Sequence, residues 1–152
     1  MDGFDIAGFH LSIDREATRA AHAGRARGGA ETCDCDACRN FLAQAPERAW
    51  PPAAVELLDA LGLAPRRDTE VTRLARAADG RHEYVARWHL VGTIERAPLG
   101  AEDDLLPAPG GLRLCFRAGG ELVPEELAGG PVLELDLGLA LPWSIEEREP
   151  RL

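Results

Sequence analysis

An α+β fold, in which an antiparallel sheet of about five to six strands has one face covered by two or three short N-terminal helices, follows from three features of the sequence. Leu133, Leu135, Leu137, Leu139 and Leu141 alternate with Glu134, Asp136, Gly138 and Ala140, the period of a half-buried strand. Tyr84, Ala86, Trp88 and Leu90 alternate in the same way with Glu83, Arg87 and His89. Helical spacing, by contrast, is confined to residues 14–62. The 152-residue length with 45% hydrophobic and 28% charged residues suits one soluble domain spanning 1–152.

The first element, residues 4–13, reads as a strand with Phe9, Leu11 and Ile13 on one face and His10 and Ser12 on the other. Asp14 is a good N-cap for a helix over Arg15–Ala23, with Gly24 expected in the left-handed C′ conformation. The apolar face of that helix is only Ala17, Ala20 and Ala21, which predicts a surface position. The Gly- and Arg-containing stretch near 24–32 has no periodicity and is expected to be a mobile loop.

From Asp36, the spacing of Cys38, Phe41, Leu42 and Ala45 predicts a short helix stopped by Pro46. Pro51 and Pro52 open the next one. Val55, Leu58 and Leu61 line its inner face, Gly62 closes it, and Leu63 should fold back on Leu58 as in a Schellman cap.

A strand over 70–77 then leads to Asp79-Gly80, a favoured type I′ hairpin dipeptide. The long strand that returns contains Gly92, a candidate bulge. Residues 97–111 read as a second mobile loop, with the acidic run Glu102-Asp103-Asp104 left to solvent. Leu112, Leu114 and Phe116 alternate with Arg113, Cys115 and Arg117, placing Cys115 on the polar side. A turn at Gly119-Gly120 precedes the leucine strand, on which Asp136 should face solvent. Pro142-Trp143 ends it.

The charge balance excludes some partners. A net charge of −9 opposes the phosphate attraction that drives nucleic-acid binding. No apolar run suits a membrane span, and acidic Met1–Asp5 is unlike a secretory leader. A cytoplasmic protein with a protein or small-molecule partner is expected.

Chemistry concentrates at Cys33, Cys35 and Cys38. Three thiols in six residues at a helix start can supply soft ligands to zinc, leaving a fourth place for a His, an Asp or water. His89, held on the long strand, is the expected fourth ligand, with His22 as its competitor. This predicts a small zinc-binding accessory or binding module rather than a self-sufficient enzyme. Two alternatives stay open: Cys35 and Cys38 as a reactive dithiol near a helix N-terminus, or Cys38 packed in the core with Phe41 and Leu42. Asn40 is a candidate hydrogen-bond partner for the cysteine turn. His10, His22 and His82 otherwise read as surface residues.

The box Cys35-Asp36-Ala37-Cys38-Arg39-Asn40-Phe41, preceded by Cys33, resembles that of a bacterial protein family with a Cys-x-x-Cys-x-Asn-Phe/Tyr signature. Three later pieces extend the resemblance: Leu61-Gly62-Leu63 with Pro65; Asp79-Gly80 with Tyr84, Trp88, His89, Val91 and Gly92; and Leu141-Pro142-Trp143. Ala86-Arg87 departs from the small glycines that precede the aromatic residue in that pattern. The resemblance implies no activity.

Overall fold

A computed structural model describes residues 1–101, 104–120, 122–127 and 129–152; Glu102 and Asp103 of the acidic run therefore lie outside the described residues. The fold is α+β, with helices α1 (Arg15–Ala23), α2 (Asp36–Ala43), α3 (Pro46–Ala49) and α4 (Pro52–Ala60). The strands are β1 (Asp2–Ile6), β2 (Phe9–Ile13), β3 (Glu70–Arg76), β4 (His82–Arg96), β5 (Leu106–Ala108), β6 (Leu112–Ala118) and β7 (Val132–Leu141). They form one antiparallel sheet of seven strands in the order β1-β2-β4-β7-β6-β5, with β3 also paired to β4.

The sheet has more strands than the five or six expected, for two reasons. The stretch 4–13 is not one strand but part of a hairpin, folded at Ala7 (φ 51°) and Gly8 (φ 84°) between paired Ile6 and Phe9. Two successive positive φ angles define a type I′ turn, which an alanine does not advertise. The second addition is β5, inside the 97–111 loop, which pairs with β6.

Other local expectations need correction. The turn after β3 is not type I′: of its residues only Gly80 has positive φ (88°). Gly80 N instead donates to Ala77 O at 2.9 Å and Ala77 N to Arg81 O at 2.7 Å. This is a type I turn followed by a left-handed glycine, the three-residue hairpin solution. The bulge in β4 falls at Glu95 rather than Gly92, because Leu11 pairs with Ile94 and His10 with Arg96. Gly92 is needed for close approach: a Cβ there would lie 2.5 Å from Ser12 O. Gly24 stays right-handed (φ −77°), since α1 ends in short bonds from Gly24 N to Ala21 O and Arg25 N to His22 O, both 3.2 Å. The cap of α4 forms as its sequence predicts. Leu63 N donates to Leu58 O at 2.8 Å and Gly62 N to Asp59 O at 3.1 Å, around a left-handed Gly62.

The main core lies between the helices and the leucine face of the sheet. Leu135 pairs with Trp88 and Leu137 with Ala86 in register, and all five leucines of β7 are buried. Over them, Phe41 packs at 5.4 Å from Trp50 and 5.8 Å from Tyr84, with Trp50 6.1 Å from Trp88. Trp88 Nε1 donates to Ala64 O at 3.0 Å, satisfying its buried polar edge.

The opposite face is not simply solvent-facing. Cys115 and Asp136 are buried there, because Ala101 and Leu105 lie over that face. Ala101 is buried and its carbonyl lies 3.5 Å from Cys115 Sγ, while Leu105 packs over Gly138. Asp136 cannot be the solvated residue its alternation suggests. Its Oδ1 accepts from Arg87 Nε at 3.1 Å, and its Oδ2 lies 3.4 Å from Arg117 Nε.

Helix α1 also departs from its surface reading. Strand β3 leaves β4 after pairing with Arg87, and β2 joins only at Gly92. Polar side chains of α1 fill the gap: Thr18 Oγ1 accepts from Val91 N at 2.9 Å, and His22 Nε2 donates to His89 O at 2.8 Å. Both residues are buried. His82 is buried too, bonded through Nε2 to Glu149 at 2.8 Å and tilted against Trp143.

Candidate metal centre

Helix α2 begins at the thiols. Cys35 is its N-cap, in extended conformation, and its Sγ accepts from Cys38 N at 3.4 Å, taking the place of the usual Ser or Asp oxygen. Cys38 then falls on the first turn, which brings its sulfur round to the same side. The three sulfurs lie within 4.8 Å of one another, and Cys33 Sγ is 3.2 Å from Cys35 Sγ. Cys33 and Cys35 are exposed, whereas Cys38 is buried. Burial pushes the Cys38 thiol well up, reinforced by its sulfur neighbours; hydrogen bonds from the Cys35 backbone and side chain lower Cys33.

Two anchors position this turn. The first is Asn40, one helical turn on and fully buried. Its Nδ2 donates to Tyr84 Oη at 3.1 Å and Pro142 O at 3.0 Å, while its Oδ1 accepts from Ser144 N at 2.8 Å. Tyr84 Oη in turn donates to Ala37 O at 3.0 Å, inside the cysteine box. Arg39 reinforces the contact through an ion pair with Glu147. The box and the Leu141-Pro142-Trp143 segment are thus one hydrogen-bonded unit, although about a hundred residues apart in the chain.

The second anchor lies under the segment leading to Cys33. Asp68 is buried; its Oδ2 accepts from Ala30 N at 3.0 Å, and its carbonyl from Gly29 N at 2.7 Å. A Cβ on Gly28 or Gly29 would lie 2.2 Å from Arg66 O or Thr69 O respectively. In the sequence these glycines suggest freedom; here they permit backbone contact. Asp68 has no periodic pattern around it, so no sequence signal singles it out.

The structure does not bring His89 to the thiols. Among the described residues, the group of metal-competent atoms comprises the three cysteines alone. Tyr84 and Trp88 face α2 and its neighbours, and His89 points to the other face of β4. There its Nδ1 meets Thr69 Oγ1 at 2.7 Å, while its Nε2 has no hydrogen bond and lies 3.6 Å from Glu134 Oε1. His22, the competitor, is committed to the β4 edge and accepts weakly from Ala64 N at Nδ1.

Burial, aided by the Arg25 charge, depresses His89 from 6.5 to about 4. Burial, followed by the Asp136 carboxyl beside it, raises Glu134 from 4.5 to about 7. The two act on stability with opposite sign. His89 contributes stability that is present above 6.5 and lost as pH falls through about 4; Glu134 contributes stability that is present below 4.5 and lost as pH rises through about 7. Their slopes offset one another in between. Glu134→Gln is therefore expected to lose stability on acidification between those limits more steeply than the parent protein. Urea denaturation across that range checks it, and equal slopes would refute it.

No protein-family model matches the chain, and no match was found among curated proteins or among solved structures. Among the described residues, no helix is long and apolar enough to cross a membrane. The donor set itself is the guide to chemistry. Two sulfurs on one tetrahedral zinc at ~2.3 Å each are ~3.8 Å apart, and the three sulfurs here lie within 4.8 Å of one another.

Proposed function

We propose that the protein is a small metal-binding module in which Cys33, Cys35 and Cys38 hold zinc, and that it acts as an accessory or binding protein rather than a self-sufficient enzyme. The observation that carries this reading is the convergence of three sulfurs within 4.8 Å at the start of α2. All-sulfur donors favour soft or borderline ions, and zinc is the redox-inert choice. When bound, zinc holds the thiols as thiolates and cross-links the loop to the helix. Asn40 and Asp68 hold the two sides of the turn, so the chain supplies three ligands and leaves the fourth place to water or a group from a partner. The family resemblance belongs to the same reading, since its cysteine box and Leu-Pro-Trp piece meet at Asn40.

Elemental analysis of protein purified without added metal tests the proposal. About one zinc per chain is expected, with loss in Cys35→Ser. A second reading has one observation in its favour: the 3.2 Å between Cys33 and Cys35 sulfurs suits a dithiol. It pairs Cys33 with Cys35 in place of Cys35 with Cys38, whose thiol is buried. Metal-free protein with rapid alkylation at Cys33 would favour it over zinc.

A further inference from the structure

The three cysteines of the thiol site are not equivalent. Cys33 and Cys35 are exposed, with their sulfurs 3.2 Å apart, whereas Cys38 is buried. Both exposed residues have extended backbones, with φ and ψ of −105° and 133° at Cys33 and −73° and 157° at Cys35. Successive extended residues point to opposite sides, so the two thiols share one side of the segment and Asp34 takes the other. The pair open to a small solute is therefore also the pair whose sulfurs meet.

The chain is anchored on either side of this pair without using its sulfurs. Asp68 holds Gly29 and Ala30 ahead of Cys33, and Asn40 holds α2 beyond Cys38. Among the described residues, one hydrogen bond links the exposed sulfurs to the rest of the fold, from Cys38 N to Cys35 Sγ at 3.4 Å, and thioether-like or thiol sulfur is a weak acceptor. A change of bonding between Cys33 and Cys35 thus alters the metal donors and leaves the scaffold in place.

We propose that the thiol site is redox-regulated: a hydroperoxide oxidises Cys33 and Cys35 to a disulfide and so releases the zinc, an inference that rests on the zinc-binding reading above. The Cys33 thiolate attacks one peroxide oxygen; an S–O bond forms, the O–O bond breaks, and the hydroxide that leaves takes a proton to become water. The Cys35 thiolate then attacks the Cys33 sulfur; the S–S bond forms, the S–O bond breaks, and the second hydroxide is likewise protonated to water. The peroxide gains two electrons, one from each sulfur. A disulfide holds its sulfurs at ~2.05 Å, against the ~3.8 Å spacing around tetrahedral zinc, and its neutral sulfurs no longer serve as thiolate ligands. The ion is left with Cys38 alone and departs. Exposed Asp34 and Asp36 flank the thiols, which suits a small neutral oxidant and repels an anionic one.

Hydrogen peroxide added to the zinc-loaded protein tests the proposal. Zinc content before treatment tests the zinc-binding reading, and zinc released to a chromogenic chelator afterwards tests the switch, so the two fail separately. Nearly all the bound zinc should be released, the metal-free mass should be two hydrogens below that of the reduced chain, and a peptide should join Cys33 to Cys35. Cys38 and Cys115 should still alkylate after unfolding, and a thiol reductant with added zinc should restore the starting state. Cys33→Ser provides a readout that needs no metal: peroxide should leave Cys35 as a sulfenic acid trapped by dimedone, an adduct that the parent chain does not accumulate. Zinc retained after peroxide, a disulfide to Cys38 or between chains, or sulfinic acid at Cys33 without a disulfide would overturn the proposal. Protein that holds no zinc beforehand would overturn the zinc-binding reading and the switch with it.

Discussion

Replacing Asn40 by alanine is expected to destabilise the protein by about 3 to 5 kcal/mol and to lower its zinc content. The truncation removes both hydrogen-bonding ends of a buried amide at once. Pro142 O and Ser144 N lose their bonds to it, and Tyr84 Oη loses one of its partners. Each stranded buried group contributes ~1 to 3 kcal/mol. Gln44 Nε2, 3.0 Å from Pro142 O and 2.7 Å from Ser144 Oγ, recovers part of this. Denaturant unfolding together with metal analysis measures both effects. A loss below about 1 kcal/mol would mean that water replaces the amide, and Asn40 would cease to be an anchor of the cysteine turn.

The second large effect belongs to β7. Leu135→Ala should cost ~2 to 5 kcal/mol, because it opens a cavity beneath Trp88 that the surrounding sheet cannot fill. Asp136→Ala, one residue on, should cost ~1 to 3 kcal/mol, although strand alternation alone would make it silent. Its side chain is 3% exposed and joins Arg87 to Arg117. Removing it leaves those arginines with Glu70, Glu134 and solvent, which limits the damage. Chemical denaturation of the two variants compares them directly; an Asp136→Ala protein as stable as the parent would show that the second face is wet in solution.

What could be read in the sequence was whatever depends on local geometry. The leucines of β7 sort to one face because a pleated strand has period two, and Gly62 with Leu63 forms its cap because the motif closes within six residues. The cysteine cluster is likewise local, so its convergence at the start of α2 follows from spacing. The failures share a different cause. Whether Asp136 or Cys115 is buried depends on where Ala101 and Leu105 lie, and alternation says nothing about a distant part of the chain. Thr18 and His22 look like surface residues of an alanine helix, because their partners are main-chain atoms of β4. Ala7 hides a turn that glycine or asparagine would have signalled. His89 resembled a ligand by residue type, yet its direction along the strand carries it away from the thiols.

The break in the β4 edge, where β3 has ended and β2 has yet to begin, has a consequence beyond the fold. An unpaired Val91 amide and His89 carbonyl would offer another polypeptide a place to add a strand, the usual start of edge-to-edge aggregation. Thr18 and His22 occupy those positions with side chains, and a side chain, unlike a strand, presents no further ladder to extend. Helix α1 therefore acts as a plug against self-association as well as a part of the core's rim. Fraying of nine helical residues is enough to expose a sticky edge at the middle of the longest strand.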